Sequence, residues 1–417
     1  MTPNPNNPPE AGTYASRWLF TAVLNFFFAG CLGALLRYAF VSEVPGLNFR
    51  NVMHGHSHVA MLGWLYMALF ALLVRTFIPE KEKTYNRLFW MTQVSIAGML
   101  VSFPVQGYGP VSIAFSTLHI ILSYVFAVRF FRDIKRERTQ GRLSVRLVKA
   151  SLWFMLVSTL GLWGMGPVMA LDMKGSVWYH VAVQFYLHFQ FNGWFLFAVL
   201  ALWFRMREAY SKETTISRLF FALLVVSCLL TFSLVLVWAN TSPAFLVVNG
   251  LGVIMQLAAL VLLGIMMRED WPQVASRLSR VSRWLIAVAL ISFAVKIALQ
   301  ALVVIPAVAT IAFTIRNYVI GFIHLIMLGA ISHFIWGYSA EKNLIDLRSW
   351  GSKTGLVLFF VGFAGSEILL FLQGTMFWAA KGFLPGYYEI LFGFSVLMPL
   401  GVGGIAGSRK FYLQKQP

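Results

Sequence analysis

The stretch Met53-His-Gly-His-Ser-His-Val-Ala-Met-Leu-Gly-Trp64 places three histidines, His54, His56 and His58, at the mouth of an apolar run that continues to about Thr76. Part of it returns twice: His58-Val-Ala-Met-Leu-Gly63-Trp64 is followed by His188-Phe-Gln-Phe-Asn-Gly193-Trp194 and by His324-Leu-Ile-Met-Leu-Gly329. These histidines stand 130 and 136 residues apart. The shared order and the near-equal intervals read as one unit used three times, each copy carrying a histidine to the same depth. The glycines alone would be explained by close helix packing.

Composition sets the solvent. Mean hydropathy is +0.73, 59% of residues are hydrophobic and 12% are charged, whereas a soluble domain carries about 25% charged residues. A helix needs about 20 apolar residues to cross the hydrocarbon core. The chain divides into about twelve such segments, near 17–42, 52–78, 87–106, 110–132, 146–171, 177–204, 216–239, 244–267, 282–306, 316–340, 351–377 and 385–407. The expected fold is therefore an all-α polytopic membrane protein. Residues 17–407 form a single membrane domain of three four-helix units, about 17–132, 146–267 and 282–407, related by a pseudo-threefold. A Pro-rich tail over 1–16, without the basic start of a signal peptide, and a basic tail over 408–417 flank it.

The net charge of +18 invites a nucleic-acid reading, but the basic residues are distributed by topology. Even-numbered spans are followed by Arg75, Lys81, Lys83 and Arg87, by Arg129 to Lys149, by Arg205 to Arg218, by Arg268 to Arg283, and by Lys342, Arg348 and Lys353. The alternate loops Gln106–Pro110 and Asn240–Ala244 have no basic residue, and Leu171–Val177 has only Lys174. The positive-inside rule then puts both termini in the cytoplasm of a multi-pass protein in a bacterial-type inner membrane. Nucleic acid is not an expected partner; the lipid bilayer is. The cysteines, Cys31 and Cys228, lie far apart in apolar runs, so neither a disulfide framework nor a CxxC clip is available.

The repeated histidine falls on spans 2, 6 and 10, each entering from the outer side, so His58, His188 and His324 share a layer about 10 Å below the surface at about 1.5 Å per residue. An ionisable residue inside a span faces the bundle interior and is functional by default. His54 and His58 are four apart and share a face, while His56 points nearly the other way. His180 and His188 can face one side of span 6, His119 reaches a similar layer on span 4, and His324 and His333 are nine apart, about half a turn out of phase. For each histidine the alternative is a hydrogen-bonded packing role, and for His54, His56 and His58 a place in the headgroup layer. Neutral imidazoles on facing helices ligate haem iron, copper or zinc. Arg37 is placed to neutralise a haem propionate, and Lys296 and Glu367 either pair with each other or relay protons. No phosphate loop, HExxH or GxSxG occurs.

Twelve spans with histidines on helices 2, 6 and 10 resemble subunit I of the haem-copper oxidases and nitric oxide reductases. The stretch His56-Ser-His58-Val-Ala-Met-Leu-Gly63 resembles the His-x-His-x4-Gly signature of the NnrS family, membrane proteins containing haem and copper and linked to nitric oxide, and His324-Leu-Ile-Met-Leu-Gly329 resembles its late histidine motif. The resemblance implies haem b held by His58 (or His54 or His56) and by His324 or His333. It implies a second metal, copper or zinc, at His188, with His56, His58, His119, His180 and His324 in the same ligand pool. It also implies an electron-donor protein or quinol as partner, with a homo-oligomer left open. The sequence departs from the oxidases in having no histidine in span 7 and Asn192 four residues after His188, which implies fewer haems or a different metal. The expected function is electron transfer or nitric oxide and dioxygen chemistry by a haem-dependent oxidoreductase. The alternative is a metal-ion or proton-coupled transporter with the histidine layer at the midplane, for which Gly161, Gly164, Gly166 and Pro167 offer a helix break.

Overall fold

The computed structural model describes residues 13–135, 141–208, 213–240 and 242–407, which are helical with no strand among them. Most of the expected tail over 1–16, and all of that over 408–417, lies outside the described residues, but Thr13 to Ser16 already belong to the first helix. Twelve helices are long and apolar enough to cross a membrane: α1 Tyr14–Tyr38, α2 Phe49–Phe77, α3 Pro79–Gln106, α4 Pro110–Ile134, α5 Leu143–Ala170, α6 Val177–Arg207, α7 Thr215–Leu236, α8 Pro243–Arg277, α9 Arg280–Leu302, α10 Arg316–Glu341, α11 Trp350–Trp378 and α12 Tyr387–Gly407. The largest departure from the sequence expectation is α8, which runs ten residues past 267. Its polar extension is held by an ion pair between Asp270 and the guanidinium of Arg207 at the end of α6. The break expected near Gly161 to Pro167 does not occur, since α5 continues through Pro167 to Ala170. A break does occur in α7, at Thr231 and Phe232.

Three of the twelve helices are internally unusual. Each of α2, α6 and α10 contains a π-helical run, Val59–Tyr66, Phe189–Phe195 and Leu325–Ser332 respectively. The residue immediately before each run is His58, His188 or His324, so the repeated motif marks the same backbone event each time. Wide π turns are rare, normally last a single turn, and occur often at functional sites. The glycine in the motif has a packing reason as well. A Cβ on Gly63 would stand 2.9 Å from Ile96 and 3.0 Å from Asn25, and the Asn25 amide donates to the Gly63 carbonyl at 2.9 Å.

The chain forms two compact units. Among the described residues, one comprises 13–126 with Arg280–Ile286 and 315–407; the other comprises those of Ala127–Ser279 with Ala287–Thr314. These units do not follow the boundaries 17–132, 146–267 and 282–407. In the first unit α2 is the central element, lined by aromatic rings: Trp64 stacks on Phe26 at 4.7 Å and leans on Trp336 at 5.1 Å. Its indole N–H donates to Ser332 Oγ at 2.8 Å, joining the π runs of α2 and α10. A buried N–H left without an acceptor costs more than the bond itself contributes. Trp64→Phe, which removes donor and ring nitrogen together, should therefore lower stability by about 1 kcal/mol; an unchanged thermal midpoint would show the clip to be idle. In the second unit Phe154 of α5 packs on Phe189 and Phe197 of α6, and Gln190 donates to Ser158 Oγ at 2.9 Å.

Candidate functional site

The start of α2 presents two faces. His54 and His58 both turn toward Phe103 and Tyr108: His58 stacks on Phe103 at 4.1 Å and His54 meets Tyr108 edge-on at 4.7 Å. His58 Nδ1 bonds the His54 carbonyl at 2.9 Å, and its Nε2 is 3.5 Å from the Tyr108 hydroxyl. His56 turns the other way, toward α1, where Nδ1 donates to the Ala29 carbonyl at 2.8 Å. This fixes the tautomer and leaves Nε2 as an acceptor, the arrangement of a metal-ligating histidine with its second partner in place. Gly33, one turn after Ala29, makes the room, since a Cβ there would stand 2.8 Å from His56 Cε1 and 3.0 Å from Nδ1.

On that face the first unit gathers its charges. Arg37 lies within electrostatic reach of Glu367, Arg316, Tyr387 and His56, and His324 within reach of Arg37 and His56. His324 Nδ1 is 3.8 Å from Glu367 Oε1, and Asn317 donates to the Tyr387 hydroxyl at 2.7 Å. These residues come from five helices: Arg37 from the last turn of α1, Arg316, Asn317 and Tyr387 from the first turns of α10 and α12, His56 and His324 from two to three turns into α2 and α10, and Glu367 from the interior of α11. His324 Nδ1 and both oxygens of Glu367 are buried without a hydrogen-bond partner. A buried carboxylate in that condition costs several kcal/mol, and unsatisfied buried groups in native structures mark a missing water, ion or ligand. Two imidazoles, two guanidiniums and an unsatisfied carboxyl group thus gather in the first unit, with a glycine cradle beside one ring.

The remaining histidines separate. At about 3.6 residues per turn, positions nine apart lie on opposite sides of a helix, yet His324 and His333 both face α11. His324 meets Glu367, while His333 sits among Phe359, Phe360 and Phe363 with ring centroids 5.4 to 6.0 Å away. The expectation that they are half a turn out of phase is corrected by the π run between them, which carries more residues per turn. They remain at different depths. His333 Nδ1 bonds the Leu328 carbonyl at 2.7 Å, and its buried Nε2 has no partner. His119 meets Tyr66 edge-on at 4.7 Å, with Ser123 Oγ 3.4 Å from Nδ1 and a buried, unpartnered Nε2, on the His58 side of α2.

In the second unit His188 has both ring nitrogens engaged. Nε2 donates to the Cys228 carbonyl at 2.8 Å, and the Asn192 amide lies 3.4 Å from Nδ1. The carbonyl is free because α7 breaks just beyond Leu230, leaving last-turn acceptors without a helical donor. His180 is exposed near the start of α6, bonded to the Ser176 carbonyl at 2.9 Å. Lys296 on α9 is fully buried with no partner for Nζ, and its titratable neighbours are Cys228 and His188. Glu367 and Lys296 belong to different units, and Glu367 faces His324 and Arg37 instead. Among the described residues no group of three or more His, Cys, Asp or Glu side chains is arranged to hold a metal ion.

Sequence reasoning missed Gly33, Arg316, Tyr387 and the Phe103 and Tyr108 wall. Arg316 carried a signal, being basic on the side where positive charge is sparse; Gly33 and Phe103 carried none, since only the crossing of helices gives them their role. Compared with known proteins, the chain matches no family model and no curated protein. The fold and site define the class: a twelve-helix membrane protein with a charged, histidine-bearing interior.

Proposed function

We propose that the protein is a membrane haem protein in which His56 and His324 would hold a b-type haem. The observation that carries this reading is the orientation of His56: Nδ1 held by the Ala29 carbonyl, the ring admitted by Gly33, and His324 within electrostatic reach on a different helix. Two histidines within electrostatic reach of each other would suit a group whose iron is already held by porphyrin nitrogens; a zinc or copper ion with protein ligands alone needs three or four. Bound there, a haem supplies one-electron chemistry and a potential set by its ligands and burial.

The residues of this chain do the rest. Arg37 and Arg316 offer guanidiniums to carboxylate side chains, for which their forked donors are suited. Glu367 Oε1 stands 3.8 Å from His324 Nδ1, which places a carboxyl group beside that ring. Phe26, Trp64 and Trp336 pack the interior against water. The arrangement supports electron transfer, from a quinol or a donor protein, and nitric oxide chemistry that a bound haem would supply. It also supports three related four-helix units, since the three π runs follow the three repeated histidines. Both termini are then cytoplasmic, in a bacterial-type inner membrane. No second metal is assigned to His188, whose nitrogens are both engaged.

The test is optical. Purified protein should show a Soret band that shifts on reduction, and His56→Ala and His324→Ala should each lose at least tenfold of the haem per protein while His180→Ala keeps it. Wild-type protein without a Soret band, or variants that retain it, would sink the reading. A second reading, a proton-coupled transporter, is favoured by Lys296, a wholly buried and unpartnered amine within a span. Proton uptake by vesicles containing the protein, abolished by Lys296→Met, is its expected result; uptake unchanged in the variant removes it.

A further inference from the structure

The second unit carries a groove of about 380 Å³ between α5 and α7 that the haem reading does not use. Ala150, Trp153, Val157 and Val225 line its length, and Arg146 and Lys149 stand at one end. The groove therefore has the form of a lipid, apolar along its length and cationic at its head. We propose that it binds an anionic phospholipid, the headgroup phosphate at Arg146 and Lys149 and an acyl chain along Trp153 and Phe221.

The charge at that end decides the lipid class. Glu213 is shared by Arg146 and Arg218, and Glu208 by Arg142 and Arg205. Glu208 also accepts from the backbone N–H and hydroxyl of Ser144 at 2.9 and 2.8 Å, which ties it to the start of α5. Four guanidiniums thus meet two carboxylates among these ion pairs, so this end keeps an excess of positive charge. The Arg146 guanidinium lies over the Phe221 ring, 5.5 Å from its centroid, and Nε is buried without a hydrogen-bond partner while the terminal nitrogen holds Glu213. That unpartnered donor stands where the apolar trough begins, at the depth a phosphodiester reaches when its acyl chain lies along Trp153. A choline or ethanolamine headgroup would bring a cation into the same excess of positive charge. An anionic headgroup does not, and each basic residue near the bilayer surface attracts anionic lipid by about 1 kcal/mol, about fivefold in affinity. The basic end lies on the loop side that the charge distribution assigns to the cytoplasm, so the lipid belongs to the inner leaflet.

The experiment reads Trp153 from inside the groove. The full chain is placed in phosphatidylcholine vesicles containing brominated-chain phosphatidylglycerol or, separately, brominated-chain phosphatidylcholine. The Trp153 contribution is obtained by subtracting the quenching of the Trp153→Phe variant. Stronger quenching by the phosphatidylglycerol is expected. Its apparent affinity should fall about fivefold in Lys149→Gln, which leaves the Arg146 and Glu213 pair intact, and at least as much in Arg146→Gln. Ala150→Phe, which fills the trough, should abolish the preference without moving the thermal midpoint. Equal quenching by the two lipids, or a preference that survives both Lys149→Gln and Ala150→Phe, overturns the proposal. So does a Trp153 that neither lipid quenches, because the groove is then covered by protein, such as a second copy of this chain.

Discussion

Asp270→Ala should cost about 3–5 kcal/mol of stability, because it leaves the Arg207 guanidinium buried at the α6–α8 contact without its counter-charge. The asymmetry is physical: removing one partner of a buried pair strands a charge, whereas removing both can be close to neutral. Arg207 has a fallback in the Phe204 ring, whose centroid is 5.4 Å from the guanidinium carbon, and in the Met266 sulfur at 3.6 Å. Both are weak acceptors and do not replace a carboxylate. The double variant Arg207→Met with Asp270→Leu should accordingly recover most of the loss. A denaturant titration of the purified protein gives the cycle; if the single variant unfolds with the wild type, the pair contributes nothing and the polar extension of α8 must be held otherwise.

Gly33→Val should reduce bound haem at least tenfold while leaving the helical fold in place. The Cβ that glycine lacks would stand 2.8 Å from His56 Cε1, closer than any real side-chain contact, and the γ-methyl groups would add to the clash. The ring must then swing from its position, breaking the 2.8 Å bond to the Ala29 carbonyl that fixes its tautomer. Loss of such a second partner alone costs about 10–100-fold in metal affinity. Gly164→Ala is the control, because a Cβ there meets nothing within 4 Å. Equal Soret absorbance in Gly33→Val and wild type would place the ligand elsewhere on α2.

What could be read in the sequence follows from rules that act locally. Water content in the bilayer core is negligible, so spans are helices that satisfy their own backbone groups, and hydropathy locates most of α1 to α12 within a few residues, missing the polar extensions of α3 and α8. The face of a regular helix also follows from spacing, which is why His54 and His58 share the Phe103 wall and His56 does not. The rule failed where the helix ceased to be regular. His324 and His333 come to the same side through a π run that no residue of Leu325-Ile-Met-Leu-Gly-Ala-Ile-Ser332 announces, although its equivalents in α2 and α6 follow the same histidine motif. Which buried group Lys296 or Glu367 meets is likewise not written in the spans themselves: Glu367 stands beside His324, and Lys296 has Cys228 and His188 as titratable neighbours.

The sequence by itself determined that this chain has about twelve helices long and apolar enough to cross a membrane and that imidazoles recur on three of them, because burial cost and helix period depend only on nearby residues. Only the tertiary structure decided which of them meet. It set His324 beside Glu367 with Arg37 and His56 within electrostatic reach, boxed His333 in phenylalanines and tied His188 to a freed carbonyl. Those outcomes depend on where helices cross, on the missing Cβ of Gly33 and on the wide turns that re-aim a side chain, and a one-dimensional pattern carries none of these.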